Sequence, residues 1–265
     1  MRKKIFLASL AVVLIVLTVW ALWANVAVES NTVTVTNEKL PEEFDGFRIA
    51  HVSDLHSASF YMDVIALLDR EDPDIICITG DLMDSRDSSV DNALDFCAEA
   101  VRIAPCYYVT GNHEPRLQGD LYTQLLMGLE ELGVHVLDDR EVLLEREGNT
   151  ISLTGHFWGD TDTVGELSNH DGYRILLSHQ PEDFANYAAG GYDLVLSGHT
   201  HGGQFRLPFI GGVYAYGQGF FPEYDAGLFH MDGTDMIVSR GIGNSTVPLR
   251  IGNRPEVVLI ILKNG

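Results

Sequence analysis

The sequence has few cysteines and few basic residues, and both shortages exclude classes of protein. Cys77, Cys97 and Cys106 are odd in number and two of them lie in apolar runs, so we expect buried free thiols rather than a disulfide framework. Beyond residue 25 only 14 basic residues remain against 38 acidic ones, a formal charge of −24. Nucleic-acid backbones and anionic membrane surfaces should repel such a domain, so we expect no nucleic-acid partner.

The chain also lacks internal repeats and low-complexity segments, and its one long apolar run is at the N-terminus. Residues 5–24 carry no charge and follow Arg2, Lys3 and Lys4. As a helix this run would be about 30 Å long, enough to cross a membrane. We expect residues 1–25 to be an uncleaved signal anchor, single-pass in the cell membrane, with the rest of the chain extracytoplasmic. A cleaved signal, giving a secreted protein, and a buried core helix are the alternatives.

After a linker and first strand (26–45), residues 46–265 show the pattern of one α/β domain. The apolar runs FRIAHVSD (47–54), DIICITGD (74–81) and CYYVTGNHE (106–114) each precede a helical pattern, near 60–71, 88–102 and 119–132. The second half has more short strands and one clear helix at 181–189. This order predicts a four-layer α-β-β-α sandwich of two mixed sheets flanked by helices.

Polar side chains follow five of the predicted strands. The strands end in SDLH (53–56), TGDLMD (79–84), TGNHE (110–114), LSH (177–179) and SGHTH (197–201). Ligands gather beyond the carboxyl ends of strands in open α/β sheets, so these groups should share one cleft. Each of these stretches alone would be explained by an ordinary turn, a capping residue or a buried histidine. Together, the carboxylates, amide and imidazoles indicate a site for divalent cations.

These stretches resemble the five ordered blocks of the calcineurin-like metallophosphoesterase superfamily, over about residues 47–206. The blocks are Asp54-Leu-His56, Gly80-Asp81, Gly111-Asn112-His113-Glu114, His179 and Gly198-His199-Thr-His201. The fuller forms HVSDLH, GDLMD, GHTHGGQ and IGNRPEVVL (251–259) are similar to a branch of membrane-associated bacterial phosphodiesterases. That branch includes UDP-2,3-diacylglucosamine pyrophosphohydrolase-type enzymes.

The resemblance implies two divalent metal ions, with Mn, Fe or Zn expected. Asp54, His56 and His201 would bind the first ion, Asn112, His179 and His199 the second, and Asp81 would bridge them. We call these groups, each including Asp81, the first set and the second set. A metal-bridging hydroxide would attack phosphorus in line, and His113 would assist as a catalytic residue. Glu114 would orient His113 or be a solvated acid, and Asp84 would be a supporting or turn residue.

The predicted activity is therefore that of a metal-dependent phosphoric ester hydrolase, a phosphodiesterase or pyrophosphohydrolase. A phosphomonoesterase or nucleotidase and a non-catalytic metal-binding scaffold are the alternatives. The substrate would be a phosphate ester, with a phospholipid or nucleotide-linked lipid as candidates. UDP-2,3-diacylglucosamine, a precursor of lipid A, does not fit the expected topology as a substrate. Its hydrolysis is cytoplasmic, whereas the basic N-terminus predicts that this domain lies outside the cytoplasm. The oligomeric state is open.

Three further expectations concern the surroundings of the site. In a strand-like extension His199 and His201 would face the same way, and Gly202 and Gly203 would leave room for phosphate. Arg116, Arg206, Arg250 and Arg254 are candidates for phosphate contacts, or surface residues. The aromatic and glycine-rich segment 205–224 is either a cleft wall that meets an acyl chain or membrane surface, or a strand pair packed in the core.

Overall fold

The computed structural model describes residues 2–159, 164–244 and 247–265. Its α-helices are α1 (Arg2–Ala24), α2 (Tyr61–Glu71), α3 (Asp91–Ala100), α4 (Leu121–Glu131) and α5 (Phe184–Ala189). Its strands are β1 (Glu29–Thr36), β2 (Arg48–Val52), β3 (Ile75–Thr79), β4 (Cys106–Val109), β5 (His135–Val136), β6 (Arg140–Arg146), β7 (Asn149–Gly155), β8 (Arg174–Leu177), β9 (Leu194–Ser197), β10 (Arg206–Leu207), β11 (Gly211–Gly212), β12 (Tyr214–Ala215), β13 (Gly219–Phe220), β14 (Gly227–Met231), β15 (Thr234–Val238) and β16 (Glu256–Lys263).

Two six-stranded sheets form the body of the fold. The first has the order β1-β16-β2-β3-β4-β5 and the second has the order β14-β15-β9-β8-β7-β6. Parallel and antiparallel neighbours occur in both, since β2, β3 and β4 are parallel while β16 is antiparallel to β2, and β8 and β9 are parallel while β14 is antiparallel to β15. The predicted α/β class with two mixed sheets is therefore confirmed.

Apolar side chains hold the layers together in three cores. Helices α2, α3 and α4 pack on the first sheet through residues such as Leu68, Phe96 and Leu125. The two sheets pack face to face through a second core, and α5 covers the outer face of the second sheet. All five residues of β3 are buried, which explains why it is a continuous apolar run rather than an alternating one.

The N-terminal region consists of a largely exposed helix and a strand that pairs along its whole length. The segment Lys3–Ala24 of α1 contains an 18-residue window with a mean hydropathy of 2.8, and none of that window is buried. It is long and apolar enough to cross a membrane, as a signal sequence also is. β1 pairs in parallel with β16 from Glu29↔Glu256 to Thr36↔Lys263. The division at residue 45 stays a prediction, but residues 29–36 are an integral edge of the first sheet.

Candidate metal centre

Five strands carry the predicted ligands to one place. β2, β3 and β4 in the first sheet and β8 and β9 in the second each end two or three residues before a predicted ligand. Because the carboxyl ends of parallel strands meet at one edge of a sheet, these loops are neighbours. The Gly80 carbonyl accepts a hydrogen bond from the Asp54 N–H at 3.1 Å, and the His179 carbonyl accepts one from the Gly198 N–H at 3.3 Å. The structure thus brings all seven predicted ligands together.

In the first set, the ligand atoms of Asp54, His56 and His201 all lie within 4.8 Å of one another. His56 Nε2 is 3.1 Å from His201 Nε2, which is 3.4 Å from Asp54 Oδ1. Asp81 Oδ2 is 3.6 Å from His56 Nε2. The Asp54 carboxylate also accepts the N–H of His199 at 3.0 Å. That bond joins a loop of the first sheet to a loop of the second.

In the second set, the ligand atoms of Asp81, His179 and His199 meet the same distance limit. His179 Nε2 is 3.3 Å from Asp81 Oδ2, 3.2 Å from Asn112 Oδ1 and 3.2 Å from His199 Nδ1. His179 Nδ1 donates to the Thr79 carbonyl at 2.7 Å. Since a carbonyl only accepts, the neutral ring keeps its lone pair on Nε2, where it faces the other ligand atoms.

The donor set fits a pair of divalent cations. Nitrogen–nitrogen distances of 3.1 Å in the first set and 3.2 Å in the second bring imidazole nitrogens together beside carboxylate and amide oxygens. Such atoms, crowded together and buried, need a shared electropositive partner. Imidazole and oxygen ligands suit Mn, Fe and Zn alike. Asp81 is near both groups, so it is placed to be shared by two ions.

Burial also prepares the imidazoles as ligands, because metal binding requires the neutral ring. It lowers the pKa of His56 to about 4 and that of His199 to about 3. Burial raises the pKa of Asp54 to about 6. At His179 burial acts in the opposite direction from the neighbouring Asp81 carboxylate, which prevails and raises the pKa to about 10. A cation at the second set would therefore displace a proton from His179.

Most of the predicted ligands have a left-handed backbone, which non-glycine residues adopt rarely. The φ angles are 51° at Asp54, 45° at His56, 51° at Asp81, 71° at His199 and 47° at His201. Each such residue costs on the order of 1 kcal/mol, and this strain persists where the surroundings hold the backbone in place. Its concentration in these loops marks them as a functional site.

The stretch His199-Thr200-His201 is not extended, so the prediction of a strand-like alternation is wrong. β9 ends before it, and the two imidazoles reach the site because left-handed residues lie on either side of Thr200, whose φ is −80°. A β-carbon on Gly203 would lie 2.4 Å from Gly212 Cα. That glycine therefore permits close packing of the β10–β11 hairpin, rather than leaving room for phosphate.

Glu114 holds the ligand loops together and is not a solvated acid. Its buried carboxylate accepts the N–H of Gly111 at 2.9 Å and those of Asp81 and Met83 at 3.3 Å each. Burial raises its pKa to about 8. Each of these bonds ties the loop after β4 to itself or to the loop after β3. Glu114 therefore fixes the backbone that carries Asp81, and neither role predicted for it describes these contacts.

The His113 ring is oriented by the loop after β3. The Ser85 N–H donates to His113 Nδ1 at 2.9 Å, so the neutral ring carries its proton on Nε2. Nε2 lies 3.9 Å from Asp81 Oδ2, and Asp84 Oδ2 lies 3.7 Å from Nδ1. Burial would raise the pKa of Asp84, but hydrogen bonds from Arg86 outweigh it and lower that pKa to about 2. Asp84 is therefore an ionised carboxylate beside His113, a supporting position as predicted.

These loops match a known family. The family model described as calcineurin-like phosphoesterase matches residues 47–203, a range that includes His113 and all seven predicted ligands. The chain belongs to the calcineurin-like phosphoesterase family.

Similar proteins of this family agree with that assignment over most of their length. The uncharacterized metallophosphoesterase YkuE of Bacillus subtilis is 30% identical over 253 residues, which cover 89% of this chain and 86% of YkuE. Phosphodiesterase YaeI of Escherichia coli is 30% identical over 227 residues, 82% of each chain. The solved structure of TT1561 of Thermus thermophilus, at 12% identity, has a TM-score of 0.50 over 74% of this chain and 90% of that one, and so shares the fold.

The chain is therefore a metallophosphoesterase, a hydrolase, as the sequence predicts, and it has the residues for a two-metal site. The finer assignment to the membrane-associated phosphodiesterase branch stays a prediction. So do the roles of the seven ligands and of His113, which the geometry makes possible.

Arg250 is buried behind the metallophosphoesterase site and does not line its cavity. Its side chain is fully buried, with Nη2 at 3.1 Å from His201 Nδ1 and Nη1 donating to the Arg240 carbonyl at 2.6 Å. Asn253 donates to the His201 carbonyl at 2.7 Å. The Arg250 N–H donates to Asn25 Oδ1 at 2.7 Å, and Asn25 Nδ2 donates to the Arg250 carbonyl at 3.2 Å. We call residues 247–254, which make these contacts, the strap.

A cavity of about 600 Å³ opens beside the ligands. The residues that line it include Arg86, Arg116, Tyr214, Tyr216 and Val247. Of the four arginines considered from sequence, Arg116 alone lines this cavity, whereas Arg206 pairs with Asp225 and Arg254 with Glu29.

Sequence reasoning missed three side chains near the site. Arg86 lies in a polar loop after GDLMD, and nothing in the local sequence distinguishes it from a surface arginine. The Trp158 ring lies 5.0 Å from that of His199, and the Tyr216 ring lies 5.4 Å from it. No local signal marks these two aromatic residues as neighbours of a histidine, because separate loops bring them there.

Proposed function

We propose that this metallophosphoesterase hydrolyses phosphodiesters or pyrophosphates at a two-metal centre, with Asp54, His56, Asp81, Asn112, His179, His199 and His201 as ligands. The observation that carries the proposal is the position of Asp81 Oδ2, 3.6 Å from His56 Nε2 and 3.3 Å from His179 Nε2. One carboxylate between two groups of ligand atoms is the arrangement that two neighbouring cations need. The name of phosphodiesterase YaeI favours a diester substrate.

When bound, two divalent cations would neutralise charge on the phosphate oxygens and supply a water of lowered pKa as the nucleophile. The chain supplies the rest. His113 bears its proton on Nε2 and lines the cavity, so it can donate a hydrogen bond to the leaving oxygen or to a phosphate oxygen. Arg86 and Arg116 also line the cavity. Arg86 is paired with the Asp84 carboxylate, so Arg116 is the arginine that would attract the anionic substrate.

We also propose that α1 remains as a membrane anchor and that the domain lies outside the cytoplasm. The helix presents apolar residues on all sides, and only basic residues precede its apolar run. A protease accessibility assay in intact cells tests on which side of the membrane the domain lies. Protection of the domain in intact cells, with cleavage after lysis, would place it in the cytoplasm and overturn this part.

The activity itself is tested with the full chain in detergent, loaded with Mn²⁺ or Zn²⁺. We expect two ions per chain by elemental analysis, and faster hydrolysis of bis-(p-nitrophenyl) phosphate than of p-nitrophenyl phosphate. The reverse preference would favour a phosphomonoesterase. Two bound ions without hydrolysis of either compound would favour a non-catalytic scaffold.

His113→Ala should reduce the rate of diester hydrolysis by about 10²–10⁴-fold, the range for loss of a proton donor, with two ions still bound. His230→Ala is the matched control, because His230 is exposed and bonded to Asp235 on the second sheet. Full activity in His113→Ala would remove His113 from the mechanism. A parallel loss of metal would make it a ligand or a structural residue instead.

A further inference from the structure

One segment beside the cavity contains no charged residue in an otherwise acidic chain. Residues 207–221, LPFIGGVYAYGQGFF, contain no charged side chain, although the chain has 38 acidic residues. We call this segment the apolar lip. It contains β11, β12 and β13, and its side chains do not form a buried core. Phe209, Ile210, Phe220 and Phe221 are 109%, 60%, 74% and 62% exposed.

The exposed apolar side chains are concentrated here. Outside α1, the described residues include fourteen exposed large apolar side chains. Seven of them are in the apolar lip, and Val26, Val247 and Ile251 lie at the end of α1 or on the strap. Singly exposed apolar residues are common on protein surfaces, but a contiguous group marks a surface that contacts something apolar.

The backbone of the apolar lip turns two of its aromatic side chains outward at a cost. Phe209 has a φ of 67° and Phe221 a φ of 55°. A bulky residue in the left-handed region is strained, and glycine would relieve the strain at an ordinary turn. Both residues are exposed, so no buried contact in the monomer compensates for that strain. Contact with an apolar environment would compensate for it.

The strap connects the apolar lip to the end of α1. The Ile251 carbonyl accepts the Arg206 N–H at 2.9 Å, directly before the apolar lip. One residue earlier, the Arg250 backbone is bonded both ways to the Asn25 side chain. The Arg254 guanidinium lies 5.0 Å from the centre of the Trp23 ring, on the last turn of α1. The apolar lip is thus fixed close to the point where α1 would leave a membrane.

We propose that the apolar lip inserts into the headgroup–acyl boundary of the bilayer that holds α1. Two observations favour a bilayer over a protein partner: the lip adjoins the only membrane-spanning candidate among the described residues, and it is free of the acidic charge that would repel anionic lipids. Tyr214 and Tyr216 of the lip also line the cavity. The cavity therefore opens towards the membrane surface, and its substrate is a phosphate ester of a membrane lipid. This inference rests on the proposed function.

Insertion is tested by fluorescence in the full chain reconstituted into vesicles of phosphatidylcholine and phosphatidylglycerol. Because the three native cysteines are buried, Phe209→Cys can be labelled selectively with an environment-sensitive dye. We expect a blue-shifted emission that lipid-borne doxyl groups quench. Met127→Cys is the matched control, since Met127 is 57% exposed on α4, and its label should emit as in water. An aqueous emission at residue 209 in the vesicles would overturn the proposal.

The substrate consequence is tested with Phe209→Ser/Ile210→Ser/Phe221→Ser, three residues that do not line the cavity. Each apolar side chain withdrawn from a bilayer costs more than a factor of ten in membrane affinity, so hydrolysis of a vesicle-borne fluorescent phosphodiester should fall at least about tenfold. Hydrolysis of soluble bis-(p-nitrophenyl) phosphate should change by less than about twofold. Met62→Ser/Met127→Ser/Leu143→Ser changes three apolar residues that are also more than half exposed but lie elsewhere, and it should affect neither substrate.

The outcomes separate the two proposals. An equal loss of activity on both substrates would show that the apolar lip supports the fold of the site, and would overturn the proposed insertion. An unchanged rate of hydrolysis of the vesicle-borne diester would also overturn the proposed insertion. If the parent chain hydrolyses neither diester, the proposed function fails, whereas the label at residue 209 still decides whether the surface enters the bilayer.

Discussion

The two proposed ligand sets share Asp81 but differ in what holds their histidines. His179 in the second set is fully buried, and its Nδ1–H donates to the Thr79 carbonyl of a central strand at 2.7 Å. His201 in the first set has a side chain that is 12% exposed, and its Nδ1 accepts a hydrogen bond from Arg250 Nη2 of the strap at 3.1 Å. The second set is therefore fixed by the sheets, while the first depends on a loop that also holds the end of α1.

The other histidine of each set has no such partner. His56 Nδ1 in the first set and His199 Nε2 in the second are buried without a hydrogen-bond partner among the described residues, and Asp84 Oδ2 is 3.7 Å from His56 Nδ1. Outer partners that orient a ligating imidazole commonly strengthen metal binding by about 10–100-fold. One fold thus supports the histidines of two ligand sets in two ways, through a central strand and through a loop, around a single carboxylate.

The largest effect is expected for Asp81→Asn, which removes the charge that both sets share. Bound metal should fall from two ions per chain to fewer than one, and diester hydrolysis should fall by more than the roughly 100-fold upper range for an outer partner. Elemental analysis and initial rates measure this, with the exposed Asp63→Asn on α2 as the control. Two retained ions and full activity would show that the sets share no ligand.

The second test compares His179→Ala with His201→Ala. In the parent chain a chelator titration should release one ion at about 10–100-fold lower chelator concentration than the other, because the first set is less firmly oriented. His201→Ala should eliminate the early step, and His179→Ala should eliminate the late one. The comparison between the sets is wrong if His179→Ala removes the early step, or if both ions leave the parent chain together.

Arg250→Met should act on the first set alone and strengthen its metal binding by up to about tenfold, while the second set is unchanged. A guanidinium only donates, so the Arg250 bond to His201 Nδ1 keeps the neutral ring's proton on Nε2, the atom that faces the proposed cation. The free energy of unfolding of the metal-free chain should fall, by roughly 1–3 kcal/mol for each carbonyl left unpaired at Arg240 and Gly243. Arg254→Met is the matched control on the same strap, since Arg254 contacts Trp23 and Glu29. An equal change in both sets, or unchanged metal binding at the first, would contradict an effect of Arg250 on His201 alone.

The smallest effect is expected for Trp158→Leu. The Trp158 ring lies 5.0 Å from the His199 ring and 5.5 Å from the His179 ring, so its loss should weaken the second set only. Aromatic contacts of this kind contribute about 0.5–1.5 kcal/mol. The ion of the second set should therefore be released at an about two- to tenfold lower chelator concentration. Trp158→Phe keeps a ring and should lose less. If the release of the first ion shifts instead, Trp158 supports the first set and this prediction is wrong.

Much of the fold and of the candidate site could be predicted because it depends on local sequence. The runs ahead of Asp54, Asp81 and Asn112 are continuous and apolar because their strands are buried on both faces. Helices α2, α3 and α4 begin and end close to their predicted bounds. The family resemblance then supplied the ligand list, which local chemistry alone left open.

What failed depends on long-range contacts or on backbone conformation. The strand within residues 26–45 was predicted, but its place at the edge of the first sheet was not, because its partner β16 is more than 200 residues away. The alternation expected for His199 and His201 assumed an extended chain, whereas both residues are left-handed. Glu114 was assigned to His113 because the two are adjacent, but its carboxylate binds backbone N–H groups of another loop.

The class of fold, the order of the strand-end loops and the residue types gathered at one edge follow from the hydrophobic runs and the polar groups that end them, so local sequence is enough to predict them. Which nitrogen of each histidine faces its neighbours, and what contacts the other nitrogen, depends instead on packing between distant segments. The Asn25–Arg250 pairing joins residues 225 positions apart, and it brings the end of α1 to the residue behind His201. No local pattern encodes such a contact, because its partners meet only after both sheets have packed.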